Sequence, residues 1–227
     1  MRVYDGRGGA GLMMAVKPRM RGVVHEYAFF VALAAGAGLL VAAPTAKARL
    51  AAAIYVAGLA GLLGTSALYH RVTWRKPNVR RWLRRLDHSM IFVLIAGTYT
   101  PFAVLVLSQP LGAVVLVLIW TGAAGGIVLS LLWPDAPKGV SAAVYVTLGW
   151  VAIIAMPQML DRLGVLGVAL VVAGGLLYSA GAVVYARRRP DPAPTVFGYH
   201  EIFHVLVVVA AALHFAVIAF LVLPLAE

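Results

Sequence analysis

Seven long apolar runs, separated by short polar or basic breaks, organise this chain. They fall at about 23–43, 50–71, 84–107, 110–133, 139–159, 163–187 and 198–223. Each reaches the length of about 20 residues that carries an α-helix across the hydrocarbon core of a bilayer. Pro44, Pro77, Pro110, Pro134 and the Pro190–Pro194 cluster punctuate the breaks. The pattern predicts an all-α protein, a polytopic bundle of seven transmembrane helices (residues 23–227) behind an N-terminal tail (residues 1–22). The first run has a basic lead-in and ends in "AAPTAKA", which mimics a cleavable signal peptide. Its length and the six runs that follow favour a retained helix.

Composition agrees: 63% of residues are hydrophobic and 12% charged, and mean hydropathy is +0.93. The net charge of +11 raises nucleic acid as a partner for the basic residues. Their distribution has another cause, because Lys and Arg accumulate on the cytoplasmic side of membrane proteins. Sixteen of the nineteen fall on alternate breaks: the tail up to Arg21, the 71–85 break, Lys138, and Arg187 to Arg189. Only Lys47, Arg49 and Arg162 fall on the other side. The expected orientation has the N-terminus cytoplasmic and the C-terminus outside, in the plasma membrane, with membrane lipids and not nucleic acid as partners.

This orientation collects ionisable residues from distant segments into one layer near the cytoplasmic face. His70 ends the second run, Asp87 and His88 begin the third, and His200 and His204 begin the seventh. His200 and His204 stand one helical turn apart on one face, within an H-E-x-x-H sequence. Catalytic zinc commonly takes three protein ligands and keeps one position open. The chain has no cysteine, so the donors must be His or carboxylate. His214 is ten residues beyond His204, about 15 Å along the helix, and too far for the same ion. His70, at the same depth, is the better third ligand, so Zn2+ is expected on His70, His200 and His204. Asp87 is placed to act as a base toward a water on the metal, and Ser66, one turn before His70, to stabilise an oxyanion. Simpler roles compete: Asp87 as a helix N-cap, Ser66 as a small residue at a helix contact, and His88 at the membrane interface. His25 and Glu26 share the layer, either behind the ligands or against headgroups. Gly122/Gly126, Ala57/Gly61 and Ala60/Gly64 are small-residue pairs suited to close helix packing. Pro101 is expected to kink the third helix and open the bundle for an acyl chain.

The stretches "TSALYHR" (65–71), "LDHSMIFVLIAGTYTPF" (86–102) and "GYHEIFHVLVVVAAALHF" (198–215), with "KPRMRGVVH" (17–25), resemble the hemolysin III family. That family lies within the progestin and adipoQ receptor superfamily, which includes the adiponectin receptors. The resemblance runs from residue 17 to the C-terminus and rests on S-x-x-x-H, then D, then H-x-x-x-H. It implies a seven-helix bundle with zinc on His70, His200 and His204, assisted by Asp87 and Ser66, and a hydrolase acting on a lipid amide (ceramidase-like) or ester. The residues within H-x-x-x-H vary in the superfamily, so a peptidase-type base role for Glu201 is not implied. A channel-forming cytolysin, from the family name, and a zinc-stabilised sensor or scaffold without turnover are the alternatives. Oligomeric state is not legible.

Overall fold

A computed structural model describes residues 17–226. The first sixteen residues of the expected tail, and Glu227, lie outside the described residues. Within them the chain is helical apart from its connections, with a single isolated bridge between Ala193 and Phe197. Lipid offers no hydrogen-bond partners, so a spanning backbone must satisfy its own N–H and C=O groups, as a helix does. The order is α1 (Val23–Ala42), α2 (Ala46–Arg71), α3 (Pro77–Leu105), α4 (Leu111–Leu132), α5 (Lys138–Gly149), α6 (Met156–Arg187) and α7 (Tyr199–Val217). A 3-10 segment, Trp150–Ala155, joins α5 to α6, and a π-helical turn, Ile218–Val222, extends α7.

Six of the helical stretches are long and apolar enough to cross a membrane, Lys138–Arg187 counting as one of them. That stretch is not straight. Gly164 sits at φ 67°, ψ −178°, outside the helical region and favouring a residue without Cβ. A continuous helix would separate Trp150 from Ser179 by about 43 Å at 1.5 Å per residue. Instead Trp150 Nε1 donates to Ser179 Oγ at 2.9 Å, and Lys138 Nζ lies 4.2 Å from the centre of the Tyr185 ring. The chain therefore doubles back, and Gly164 is its break.

Several helices begin earlier than their apolar runs. α3 starts at Pro77, seven residues before the expected 84, because proline fits the first helical turn, where its missing N–H is not needed. The arginines Arg80, Arg81, Arg84 and Arg85 therefore ride on helix, and Arg84 reaches the carbonyl of Pro134 and the carboxylate of Asp135. Asp87 consequently lies ten residues inside α3, which removes the N-cap alternative. α2 starts at Ala46, where the Thr45 hydroxyl accepts the Ala48 N–H. α3 passes through Pro101 and remains helical to Leu105.

The close approach of α2 to α3 involves residues outside the expected small pairs. A Cβ on Gly97 would stand 3.1 Å from the Ile54 carbonyl oxygen, and one on Gly58 would stand 3.2 Å from that of Val93. These two glycines let the α2 and α3 backbones meet. The expected pairs serve as sockets for side chains: Gly126 admits Phe92, Gly122 admits Leu148, Gly61 admits Met90 and Gly64 admits Phe29. Leu59, Leu62, Leu63, Leu94, Val207 and Ala211 fill the interior between α2, α3 and α7. Phe92, Ala96, Ile119, Ala123 and Leu148 form a second, smaller core.

Candidate metal centre

Four helices meet at the end of the bundle where α2 finishes and α1 and α7 begin. α2 carries Ser66 and His70 on one face in its final turns, and α7 carries His200 and His204 in its first two. Each of these histidines offers a ring nitrogen, and the three nitrogens lie within 4.8 Å of one another. His70 Nε2 and His200 Nε2 are 3.2 Å apart. A tetrahedral zinc with Zn–N bonds of 2.0–2.1 Å spaces its donor atoms by about 3.3 Å. Ring nitrogens that converge in this way, with no thiolate nearby, fit a borderline cation such as Zn2+.

Around this triangle the other expected residues separate. Asp87 Oδ2 stands 3.7 Å from His70 Nε2, beside the cluster without a direct hydrogen bond to it. Ser66 is buried, and its hydroxyl lies 2.8 Å from His25 Nδ1. His25, left by the sequence between two minor roles, is 2% exposed. Its ring stacks on that of His204, with centroids 3.8 Å apart and planes 10° from parallel. Glu26 takes no part, because its carboxylate pairs with Arg71 at 2.6 Å. His88, expected at the interface, lines the same cavity as the cluster. Only its position one residue after Asp87 could have suggested this.

Glu201, the acid of H-E-x-x-H, has both oxygens engaged. Oε1 accepts from Arg21 Nε at 2.5 Å, and Oε2 accepts the Gly198 N–H at 2.9 Å. Its role is to cap α7 and to hold residues 17–22 over the site. That strap is zipped to the loop before α7: the Arg19 N–H donates to Thr195 O and the Met20 N–H to Val196 O, both at 3.1 Å. Lys17 Nζ donates to the Arg71 carbonyl. Burial, with Arg71, Arg21 and Arg80 nearby, holds the Lys17 ammonium below the usual lysine range. Gly22, at φ 80°, closes the strap directly over His70, where a Cβ would stand 2.7 Å from His70 Cβ.

Beneath the cluster a cavity of about 140 Å³ runs into the bundle. One end is walled by His25, Ser66, Asp87, His200 and His204, and the far end by Thr98, Tyr99, Trp150, Tyr178 and His214. A second cavity of about 60 Å³ adjoins it, sharing Thr98, Tyr99, Trp150 and His214, and continues past Phe102, Leu107 and Met159. The aromatic wall of Tyr99 from α3, Trp150 from the 3-10 segment and Tyr178 from α6 was not legible in the sequence, where those residues look like ordinary lipid-facing or core positions.

Comparison with known proteins shows the family of the chain. The family described as "Haemolysin-III related" matches residues 13–215. "Hemolysin-3" of Bacillus cereus is 36% identical over 183 residues, 81% of this chain and 80% of that protein. "Hemolysin-3 homolog" of Bacillus subtilis (strain 168) is 33% identical over 156 residues, 69% of this chain and 70% of that protein. The human "Monocyte to macrophage differentiation factor" is 28% identical over 170 residues, 74% of this chain and 68% of that protein. The chain belongs to the haemolysin-III-related family of multi-pass membrane proteins.

Proposed function

We propose that this protein is a zinc-dependent hydrolase of a lipid amide or ester, working inside the membrane near its cytoplasmic face. The observation that carries the reading is the convergence of His70, His200 and His204 at the mouth of a deep, largely apolar cavity, beside a carboxylate and a serine. Bound there, zinc supplies a Lewis acid for the carbonyl oxygen and lowers the pKa of a coordinated water. Asp87 takes the proton from the attacking water and delivers it to the leaving amine or alcohol. Ser66, positioned by His25, donates to the oxygen that becomes negative. The apolar walls hold the acyl chain and exclude bulk water.

The same reading takes Lys138–Arg187 as two crossings, seven in all, with the N-terminus cytoplasmic. The reversal at Gly164 and the side-to-side imbalance of Lys and Arg support it. The hemolysin names of the two Bacillus relatives favour a second reading, a cytolysin.

Purified protein in nanodiscs, incubated with a broad panel of N-acyl and O-acyl lipids, tests the first reading. Release of free fatty acid by wild type, abolished in Asp87→Asn with metal content unchanged, is the expected result. A metal-loaded protein that turns over nothing in the panel overturns it. Liposome leakage that survives His70→Ala selects the cytolysin.

A further inference from the structure

His214 sits ten residues past His204 on α7, about 15 Å deeper along the helix axis, and lines both cavities. It is too far to join the metal, yet the fold makes room for it. A Cβ on Gly174 would collide with the His214 ring, so α6 is notched where the imidazole lies. Through that notch Nε2 approaches the Val171 carbonyl at 3.1 Å. A carbonyl only accepts, so Nε2 carries the proton of the neutral ring and Nδ1 is left as a lone-pair acceptor. Nδ1 is buried and has no hydrogen-bond partner among the described residues. A buried acceptor left unpaired is destabilising, and a ligand that supplies a donor removes that cost. Tyr178, whose ring centre is 5.6 Å from that of His214, brings a phenolic hydroxyl to the same wall. An imidazole acceptor beside a group that can donate suits a ligand that does both, as an alcohol does. A plain methylene chain can do neither.

We propose that His214 and Tyr178 form a hydroxyl-recognition point deep in the cavity, and that the protein prefers lipids whose acyl chain carries a hydroxyl well removed from the head end. This rests on the reading that an acyl chain occupies the cavity. The ligand hydroxyl donates to His214 Nδ1 and accepts from the Tyr178 hydroxyl. Sites built to hydrogen-bond a hydroxyl discriminate strongly against analogues that lack it.

Ricinoleate and oleate, which differ by one such hydroxyl, are the probes. Their affinities are measured by displacement of a fluorescent fatty acid from the full chain in nanodiscs. Wild type is expected to bind ricinoleate roughly tenfold tighter or more, the equivalent of about one buried hydrogen bond. His214→Phe, which keeps the ring volume, should abolish the difference and leave oleate binding and metal content intact. Tyr178→Phe, which removes only one oxygen, should reduce the preference and guards against misfolding of the first variant. Equal affinities in wild type, or a preference undiminished in both variants, overturn the inference and leave the acyl-chain reading standing. If neither acid binds wild type, the acyl-chain reading falls and this inference falls with it.

Discussion

Two ends of one helix set similar residues to different work. At the start of α7, His200 and His204 point their nitrogens toward His70 on α2, and His25 of α1 stacks behind them. Near its end, His214 meets a carbonyl and a notch in α6. All three histidines stand on the same apolar helix. The contrast comes from what the neighbouring helices bring opposite: ionisable groups at one end, backbone and aromatic rings at the other. A histidine inside a membrane is therefore interpreted from its partners across the helix contact, and its own spacing only nominates it.

The largest expected effect follows directly. His204→Ala should abolish stoichiometric metal binding, because it removes one of three ligands and the stacking partner of His25. His214→Ala should leave the metal content unchanged, as measured by elemental analysis. Equal losses in both would break the contrast between the ends. Next in size, Asp87→Asn should lower the rate of any lipid hydrolysis by about 10²- to 10⁴-fold, the usual weight of a general acid–base group, with metal retained. An unchanged rate would move Asp87 from chemistry to structure.

A third variant tests the strap over the metal end. Arg21→Ala leaves the Glu201 carboxylate, 1% exposed, with only the Gly198 N–H. Removing one partner of a buried pair costs about 3 kcal/mol, so a lower midpoint of thermal unfolding in detergent is expected, and an unchanged midpoint would show that Glu201 does not need its cation. Smallest is Gly97→Ala. Its Cβ would stand 3.1 Å from the backbone oxygen of Ile54, which cannot rotate away. Separating α2 from α3 should cost about 1–3 kcal/mol by the usual measure of overpacking, read from the same unfolding curve. Gly125→Ala, with nothing within 4 Å of its Cβ, is the neutral control.

Most of the helices were legible because lipid enforces a simple rule: long apolar runs become helix. The candidate site was legible where the expected layer collected rare ionisable residues: the structure brings His70, His200 and His204 together, with Asp87 beside them. What the sequence hid depended on three-dimensional contact. His25 resembled a residue at a helix start until α1 packed it on His204. Glu201 had no assigned role in the sequence until Arg21 and Gly198 occupied its oxygens. Gly58 and Gly97 form no small-x-x-x-small motif together, since they lie on different helices, yet they set the closest backbone approach between α2 and α3. The basic stretch before Asp87 resembled a loop, because charge masked its helical register.

The account stands on the metal. Elemental analysis of protein purified in mild detergent without chelators, for wild type, His200→Ala and His214→Phe side by side, tests it most directly. About one zinc per chain in wild type and in His214→Phe, with none in His200→Ala, is the predicted result. A wild type without zinc, or a His200→Ala variant that holds as much zinc as wild type, would contradict it.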